Sequence, residues 1–118
     1  MVDTRILHVE NDPYLAALIQ GTLAARVPGL QIQLIENESD FRSRFEEMAL
    51  NPPSLVIMDV MFPWSTGVNR EVPPSDVAAD GYYFAGFRCL RQLSLDHRTR
   101  GITTLVHSTS PLVMSSIG

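Results

Sequence analysis

The amino-acid sequence predicts an α/β fold in which a parallel β-sheet is covered by helices on both faces. Short apolar runs alternate along the chain with segments that have the apolar spacing of helices, and the connections between them are short. The 118 residues suit one domain and leave no room for two, so we assign residues 1–118 to a single domain.

The first strand and helix are predicted over residues 5–29. Arg5–Val9 is a short apolar run that ends at an acidic cluster, as a buried parallel strand does. Asp12-Pro13 begins the helix, because aspartate can cap the first amides and proline tolerates the first helical position. Pro28-Gly29 ends it. The apolar residues of its predicted inner face are Leu15, Leu18, Ile19 and Leu23.

A second strand and a second helix follow in the same way. The strand is predicted at about Gln31–Ile35, and the helix runs from about Ser39 to Leu50. Asn51-Pro52-Pro53 stops this helix, because two prolines cannot continue it. Its apolar side contains Phe41, Phe45, Met48 and Ala49.

The second half of the chain contains two further predicted strands. Leu55–Val60 is the most apolar strand, and the stretch 62–80 after it lacks periodicity. A third helix is predicted from about Gly81 to Leu95, and a fourth strand over Thr103–His107. Ser110-Pro111 resembles the start of a fourth helix. The predicted inner face of the third helix contains Tyr83, Phe87, Leu90 and Leu93.

Composition and charge exclude several classes of protein. Apolar residues make up 45% of the chain and charged residues 19%, which is typical of a globular domain rather than a disordered one. The net charge of −4 argues against a surface that binds nucleic acid or an anionic membrane. No apolar run reaches the roughly 18 residues of a transmembrane helix. The single cysteine and the absence of a signal peptide indicate a cytoplasmic protein.

Polar side chains collect at the carboxyl ends of three predicted strands. They are Glu10, Asn11 and Asp12 after the first strand, Asp59 in the third, and Ser108 and Thr109 after the fourth. Carboxylates that converge on one edge repel each other unless a cation lies between them, so an oxygen-ligated divalent ion such as Mg²⁺ is implied. An aspartate beside Mg²⁺ can attack a phosphoryl group. We interpret Asp12 as a helix cap rather than a ligand.

Four blocks of the sequence follow a known pattern. They are ILHVENDP (6–13), LVIMDVMFP (55–63), Asp80-Gly81 and ITTLVHST (102–109). In this order they resemble the response-regulator receiver domain of two-component signalling. The first is similar to the acidic first strand, the second to the strand that bears the phospho-accepting aspartate, and the last to the strand that ends in the switch hydroxyl. The resemblance spans most of the chain.

This resemblance implies a flavodoxin-like doubly wound sheet, with strand order 2-1-3-4 and a missing fifth strand. It makes Asp59 the phosphoryl acceptor and Ser108 the switch hydroxyl. Mg²⁺ would be held by Glu10, Asn11, Asp59 and the backbone carbonyl of Met61. The phosphoryl donor would be a histidine kinase or a phosphotransfer protein. The chain would act as a signalling switch and not as an enzyme.

The sequence departs from the receiver pattern at three places. Asn11 stands where a second carboxylate is usual, and an amide oxygen ligates Mg²⁺ without contributing charge. The chain has no lysine and ends before the fifth strand, after which the receiver lysine lies. An insertion loop at about 64–79 follows Pro63. Without a fifth strand, the fourth strand is an apolar edge through which two chains could pair as a homodimer.

A second interpretation is a pseudo-receiver, which is a constitutive protein–protein interaction module without phosphorylation. Weak Mg²⁺ binding would identify it. A metal-dependent phosphohydrolase ranks last. Such an enzyme usually has a second acid two residues after its nucleophilic aspartate, and that position, 61, is methionine here. A flavin carrier would need a glycine- and hydroxyl-rich phosphate loop in place of ENDP. We interpret His8 and His107, inside predicted strands, as packed and hydrogen-bonded histidines.

Overall fold

A computed structural model describes residues 4–66 and 72–107 of the chain. These residues form β1 (Arg5–Val9), α1 (Pro13–Ala24), β2 (Gln31–Ile35), α2 (Glu38–Leu50), β3 (Leu55–Asp59), α3 (Ser75–Asp80), α4 (Ala85–Leu95) and β4 (Thr103–His107). All four strands lie at their predicted positions, and β3 is one residue shorter than predicted. The helix predicted to begin at Ser110-Pro111 lies outside the described residues. None of the described helices is long and apolar enough to cross a membrane.

The four strands form one parallel sheet in the order β2-β1-β3-β4, which confirms the predicted order. From β1 the chain passes to β2 on one side and then back to β3 on the other side. Right-handed crossovers therefore place α1 on one face of the sheet and α2 on the opposite face. A doubly wound sheet opens a crevice at the carboxyl ends of its two central strands, here β1 and β3.

The main core lies between the sheet and the helices α2 and α4. Its buried members are Leu7, Val9, Ile35, Phe41, Phe45, Ala49, Val56, Met58, Phe62, Ala85, Cys89 and Leu93. Because successive side chains of a strand point to opposite faces, the buried residues Ile6, His8 and Ile57 face the α1 side. The sheet is thus buried on both faces of its central strands.

Helix α1 begins as predicted, and Leu15, Ile19 and Leu23 of its predicted inner face are half-buried, but Leu18 is not. The Asp12 carboxylate accepts hydrogen bonds from the backbone N–H groups of Tyr14 and Leu15, which confirms it as the helix cap. Leu18, which was predicted to face inward, is 66% exposed, whereas Ala16 is buried. Positions 16 and 18 are about 200° apart around a helix. The sheet-facing side therefore includes Ala16 and leaves Leu18 toward solvent.

The prediction for the inner face of α4 is also wrong in part. The helix begins at Ala85, so Tyr83 precedes it and is 52% exposed, and Phe87 is 46% exposed. Leu93 is buried as predicted, but a charged residue, Arg88, is buried beside it. Apolar spacing assigns the inner face incorrectly because this face contains an arginine.

Arg88 is buried because it pairs with Glu38 at the start of α2. Its Nε and Nη2 atoms donate to the Glu38 carboxylate at 2.8–3.0 Å, and its Nη1 atom donates to the Gly81 carbonyl at 2.6 Å. Arg42 donates at 2.7 Å both to the same carboxylate and to Asp76 of α3. This ion-pair network joins α2, α3 and α4, and the sequence analysis did not identify it.

Gly86 allows α4 to approach the end of β3. A Cβ atom at this position would overlap the backbone carbonyl oxygens of Asp59 and Val60. The first turn of α4 therefore lies directly against the backbone of Asp59, and a larger residue at position 86 would push the two apart.

The segment after β3 is attached to the start of α2. The N–H groups of Glu38 and Ser39 donate to the carbonyls of Pro63 and Trp64 at 3.1 and 2.7 Å. Within the predicted insertion loop, Ser75–Asp80 forms α3, which at six residues is too short to show helical periodicity in a sequence. Residues 67–71 of that loop lie outside the described part of the chain.

Replacing Arg88 should destabilise the fold strongly. Arg88→Met leaves the buried Glu38 carboxylate with only the partly exposed Arg42, and breaking a buried pair typically costs about 3–5 kcal/mol. Arg91→Met is the matched control, because Arg91 is exposed and lies 3.6 Å from Asp80. We expect the control to change the free energy of unfolding by less than about 0.5 kcal/mol in urea. Equal effects of the two substitutions would contradict the role given to Arg88.

Candidate functional site

Asp59 is the last residue of β3 and is buried at the carboxyl edge of the sheet. Its Oδ1 atom accepts a hydrogen bond from the backbone N–H of Met61 at 3.1 Å. The next residue, Val60, donates its N–H to the carbonyl of His107 at 3.0 Å, which extends the ladder between β3 and β4. These two hydrogen bonds fix the backbone of the residues that follow Asp59.

Glu10 follows β1 and brings a second carboxyl group to the same place. Its backbone N–H donates to the carbonyl of Ile35 at 2.9 Å, and its side chain is fully buried. The Oε2 atom accepts the N–H of Asp12 at 3.2 Å. Val9 pairs with Met58, so Glu10 and Asp59, the residues that follow them, lie on neighbouring strands at the same edge of the sheet. Burial raises the pKa of Glu10 to about 7, and the neighbouring Asp59 also raises it. The hydrogen bond from the N–H of Asp12 has the opposite effect and lowers this pKa.

Two histidines lie beside these acids. His8 is opposite Ile57 in the β1–β3 pairing, and His107 is opposite Asp59 in the β3–β4 pairing. Their ring centroids are 6.5 Å apart, and His107 Nε2 lies 3.5 Å from Glu10 Oε1. Burial lowers the pKa of His8, and the neighbouring His107 lowers it further, so His8 is neutral at pH 7.

His8 is packed in the interior as predicted, but the predicted hydrogen bond is not found among the described residues. Neither of its ring nitrogens has a partner among the described residues, and His107 Nε2 and Glu10 Oε1 are likewise buried without one. The alternation along β1 could have signalled this arrangement, because His8 and Glu10 are two residues apart and face the same side. The position of His107 beside them follows from the strand register, which the sequence alone does not specify.

The other predicted site residues are placed as follows. Asn11 is exposed directly after Glu10, and Met61 is half-buried two residues after the end of β3. Ser108 lies outside the described residues. The assignment of Glu10, Asn11, Asp59 and Met61 as Mg²⁺ ligands stays a prediction.

The geometry of the two acids is suited to holding a cation. Negative charges on two neighbouring buried carboxyl groups repel each other, and a cation between them offsets that repulsion. Carboxylate, amide and backbone carbonyl oxygens are the ligands that Mg²⁺ takes, and Glu10 Oε1 has no hydrogen-bond partner in the described part of the chain. The residues present therefore fit such an ion.

Without a metal ion, the stability of the protein should fall as the pH rises through the titration of Glu10. The folded state holds the Glu10 proton up to a pKa of about 7, whereas the unfolded chain releases it near 4.5. The stabilising contribution is complete below pH 4.5 and is lost as the pH rises through 7. The free energy of unfolding in urea, measured in EDTA at pH 5 and at pH 8, gives the size of this loss. Glu10→Gln should remove this part of the pH dependence, and an unchanged pH profile in that variant would contradict the assignment.

Comparisons with known proteins identify the fold. No family model and no curated protein matches the sequence, but several solved structures match the coordinates. The phosphorylated cyanobacterial phytochrome response regulator RcpA has a TM-score of 0.70 at 18% identity, over 98% of this chain and 72% of that one. A sensor protein from Polaromonas sp. JS666 has a TM-score of 0.62 at 22% identity, over 96% and 71%. The bacteriophytochrome response regulator AtBRR has a TM-score of 0.65 at 13% identity, over 99% and 74%. The chain therefore has the fold of response-regulator receiver domains, as its sequence blocks predicted.

Proposed function

We propose that this chain is a phospho-accepting receiver domain in which Asp59 takes a phosphoryl group in the presence of Mg²⁺. The observation that carries the proposal is the position of two buried acids, Asp59 and Glu10, on neighbouring strands at the carboxyl ends of β3 and β1. These are the central strands of a doubly wound sheet, where ligands bind in such folds. The likeness to response regulators supports the proposal through the fold.

The proposed chemistry is a transfer between two proteins. A carboxylate oxygen of Asp59 attacks the phosphorus of a phosphorylated histidine kinase or phosphotransfer protein. The phosphorus–nitrogen bond to the donor breaks, and the imidazole leaves with the electron pair. Glu10, Asn11, Asp59 and the carbonyl of Met61 would hold Mg²⁺, which supplies charge neutralisation for the phosphoryl oxygens. The backbone N–H of Met61 orients the Asp59 carboxylate.

The proposed output is a change of surface at the end of β4. Ser108 follows His107 and, as the receiver resemblance implies, would donate its hydroxyl to a phosphoryl oxygen on Asp59. This would draw the chain after β4 toward the site and remodel the neighbouring face. In this proposal the chain is a cytoplasmic switch that accepts one phosphoryl group, rather than an enzyme with its own substrate, and it has no nucleic-acid surface.

Incubation with acetyl phosphate and Mg²⁺ should add one phosphoryl group to the intact chain, as measured by mass spectrometry. Asp59→Asn should show no adduct, because an amide cannot form the acyl phosphate. Asp80→Asn is the matched control, since Asp80 is an exposed acid at the end of α3, and it should behave as the wild type. An adduct that persists in Asp59→Asn would contradict the proposal.

The exposed edge of β4 favours a second candidate, the constitutive interaction module. Leu105 and Val106 are 55% and 48% exposed, and the strand pairs with β3 alone among the described residues. An open apolar edge can pair with a second chain, either a partner protein or a copy that completes a homodimer. A monodisperse monomer at high concentration would contradict self-association.

Mg²⁺ affinity distinguishes the two candidates. A working receiver should bind Mg²⁺, and Asn11→Asp should bind it more tightly, because a second carboxylate adds charge to the site. Calorimetric titration at pH 7.5 measures the Mg²⁺ affinity of the wild type and of Asn11→Asp. No binding by the wild type, with binding restored in Asn11→Asp, would favour the constitutive interaction module.

A further inference from the structure

His8, Glu10 and His107 form a compact group at the carboxyl edge of the sheet. One ring nitrogen of each histidine and one carboxylate oxygen of Glu10 all lie within 4.8 Å of one another. His8 and Glu10 come from β1 and the residue after it, and His107 is the last residue of β4. Strand β3 lies between them, so this histidine–glutamate group bridges three neighbouring strands.

The polar atoms of this group are buried and unpartnered. Five buried side-chain atoms lack a hydrogen-bond partner among the described residues, and four of them belong to His8, Glu10 and His107. His8 and Glu10 are both at most 1% exposed. A buried polar atom without a partner is unfavourable, so this concentration of such atoms at one point indicates a binding site.

The types of donor indicate which ligand it is. Imidazole nitrogens bind Zn²⁺ and similar transition metals, whereas Mg²⁺ takes oxygen ligands. Two donors bound to one Zn²⁺ at about 2.1 Å lie about 3.4 Å apart in a tetrahedral site. The 3.5 Å between His107 Nε2 and Glu10 Oε1 matches that spacing.

We propose that His8, Glu10 and His107 form a binding site for a divalent transition-metal ion of the Zn²⁺ class. The ion is bound by two imidazole nitrogens and one carboxylate oxygen, and it joins β1 to β4 across β3. This site is distinct from the oxygen-ligated Mg²⁺ site, although Glu10 belongs to both. The proposal requires neither phosphorylation of Asp59 nor Mg²⁺ binding, so it can fail or succeed independently of them.

The test is a titration of the full chain, freed of metal by EDTA and dialysis, in a buffer without Mg²⁺. Co²⁺ reports tetrahedral coordination through its visible absorption, and competition for Zn²⁺ with a chromogenic chelator gives the dissociation constant. The chain has three histidines, and the third, His97, is an exposed residue after α4. His97→Gln is therefore the matched control for His107→Gln, which alters a histidine near the surface of the site.

We expect one Zn²⁺ per chain, with the same affinity in His97→Gln and a loss of at least about tenfold in His107→Gln. Bound Zn²⁺ should also raise the melting temperature of the wild type. His8→Gln removes a fully buried ring. If this variant does not fold, nitrogen-15 spectra of the wild-type histidine rings test the role of His8 instead. In those spectra, Zn²⁺ should shift the signals of His8 and His107 and leave that of His97 unchanged.

Three results would overturn the proposal. They are the absence of stoichiometric Zn²⁺ binding by the folded wild type, binding that is unchanged in His107→Gln, and binding that is lost in His97→Gln. Each of these leaves the phosphorylation of Asp59 open to its own test, because acetyl phosphate and Mg²⁺ are absent from this titration.

Discussion

The candidate site depends on the parallel register of β1, β3 and β4. Pairing of His8 with Ile57 and of Asp59 with His107 brings four polar side chains to one face at one edge of the sheet. They are His8, Glu10, Asp59 and His107. Because side chains alternate along a strand, a slip of one residue in either pairing would turn part of this group to the opposite face. The apolar partners of the central strands maintain the register, since a slip would also expose Val56 and Met58.

The face of the sheet opposite this group supports it. Gly86 brings the backbone of α4 against the carbonyls of Asp59 and Val60, so the position of the aspartate is linked to that helix. Helix α4 is in turn fixed to α2 by the buried pair of Arg88 and Glu38. The N–H of Glu38 also donates to the carbonyl of Pro63, in the segment that follows the aspartate. One ion pair therefore stabilises both the helix behind Asp59 and the chain after it.

The sequence predicted the strands and the first helix cap well, because their signals are local. Leu55–Val60 is a short, almost continuous apolar run, which predicts a buried strand, and Asp12-Pro13 is a strong signal for the start of a helix. The inner face of α4 could not be predicted from apolar spacing, because Arg88 is buried only through a partner 50 positions away in the chain. The short helix α3 carries no periodicity that could reveal it.

The candidate site was predictable in part for the same reason. The topology of a parallel sheet brings the ends of β1 and β3 together, so the meeting of Glu10 and Asp59 follows from the order of the elements. The arrangement of His8 and His107 depends on the exact pairing of β4 with β3. A histidine inside a strand has no local signal that separates a packed ring from a metal ligand. The proposed metal site is indicated by the lack of hydrogen-bond partners for these rings within the part of the chain that the structure describes.

The central claim is that Asp59 is the residue that carries the phosphoryl group. Borohydride reduces an acyl phosphate to an alcohol, which converts a phosphorylated aspartate to homoserine, and tandem mass spectrometry then gives its position. After treatment of the folded chain with acetyl phosphate and Mg²⁺, we expect homoserine at position 59 and at no other acid. Homoserine at a different aspartate, or its absence from the folded chain, would contradict this account.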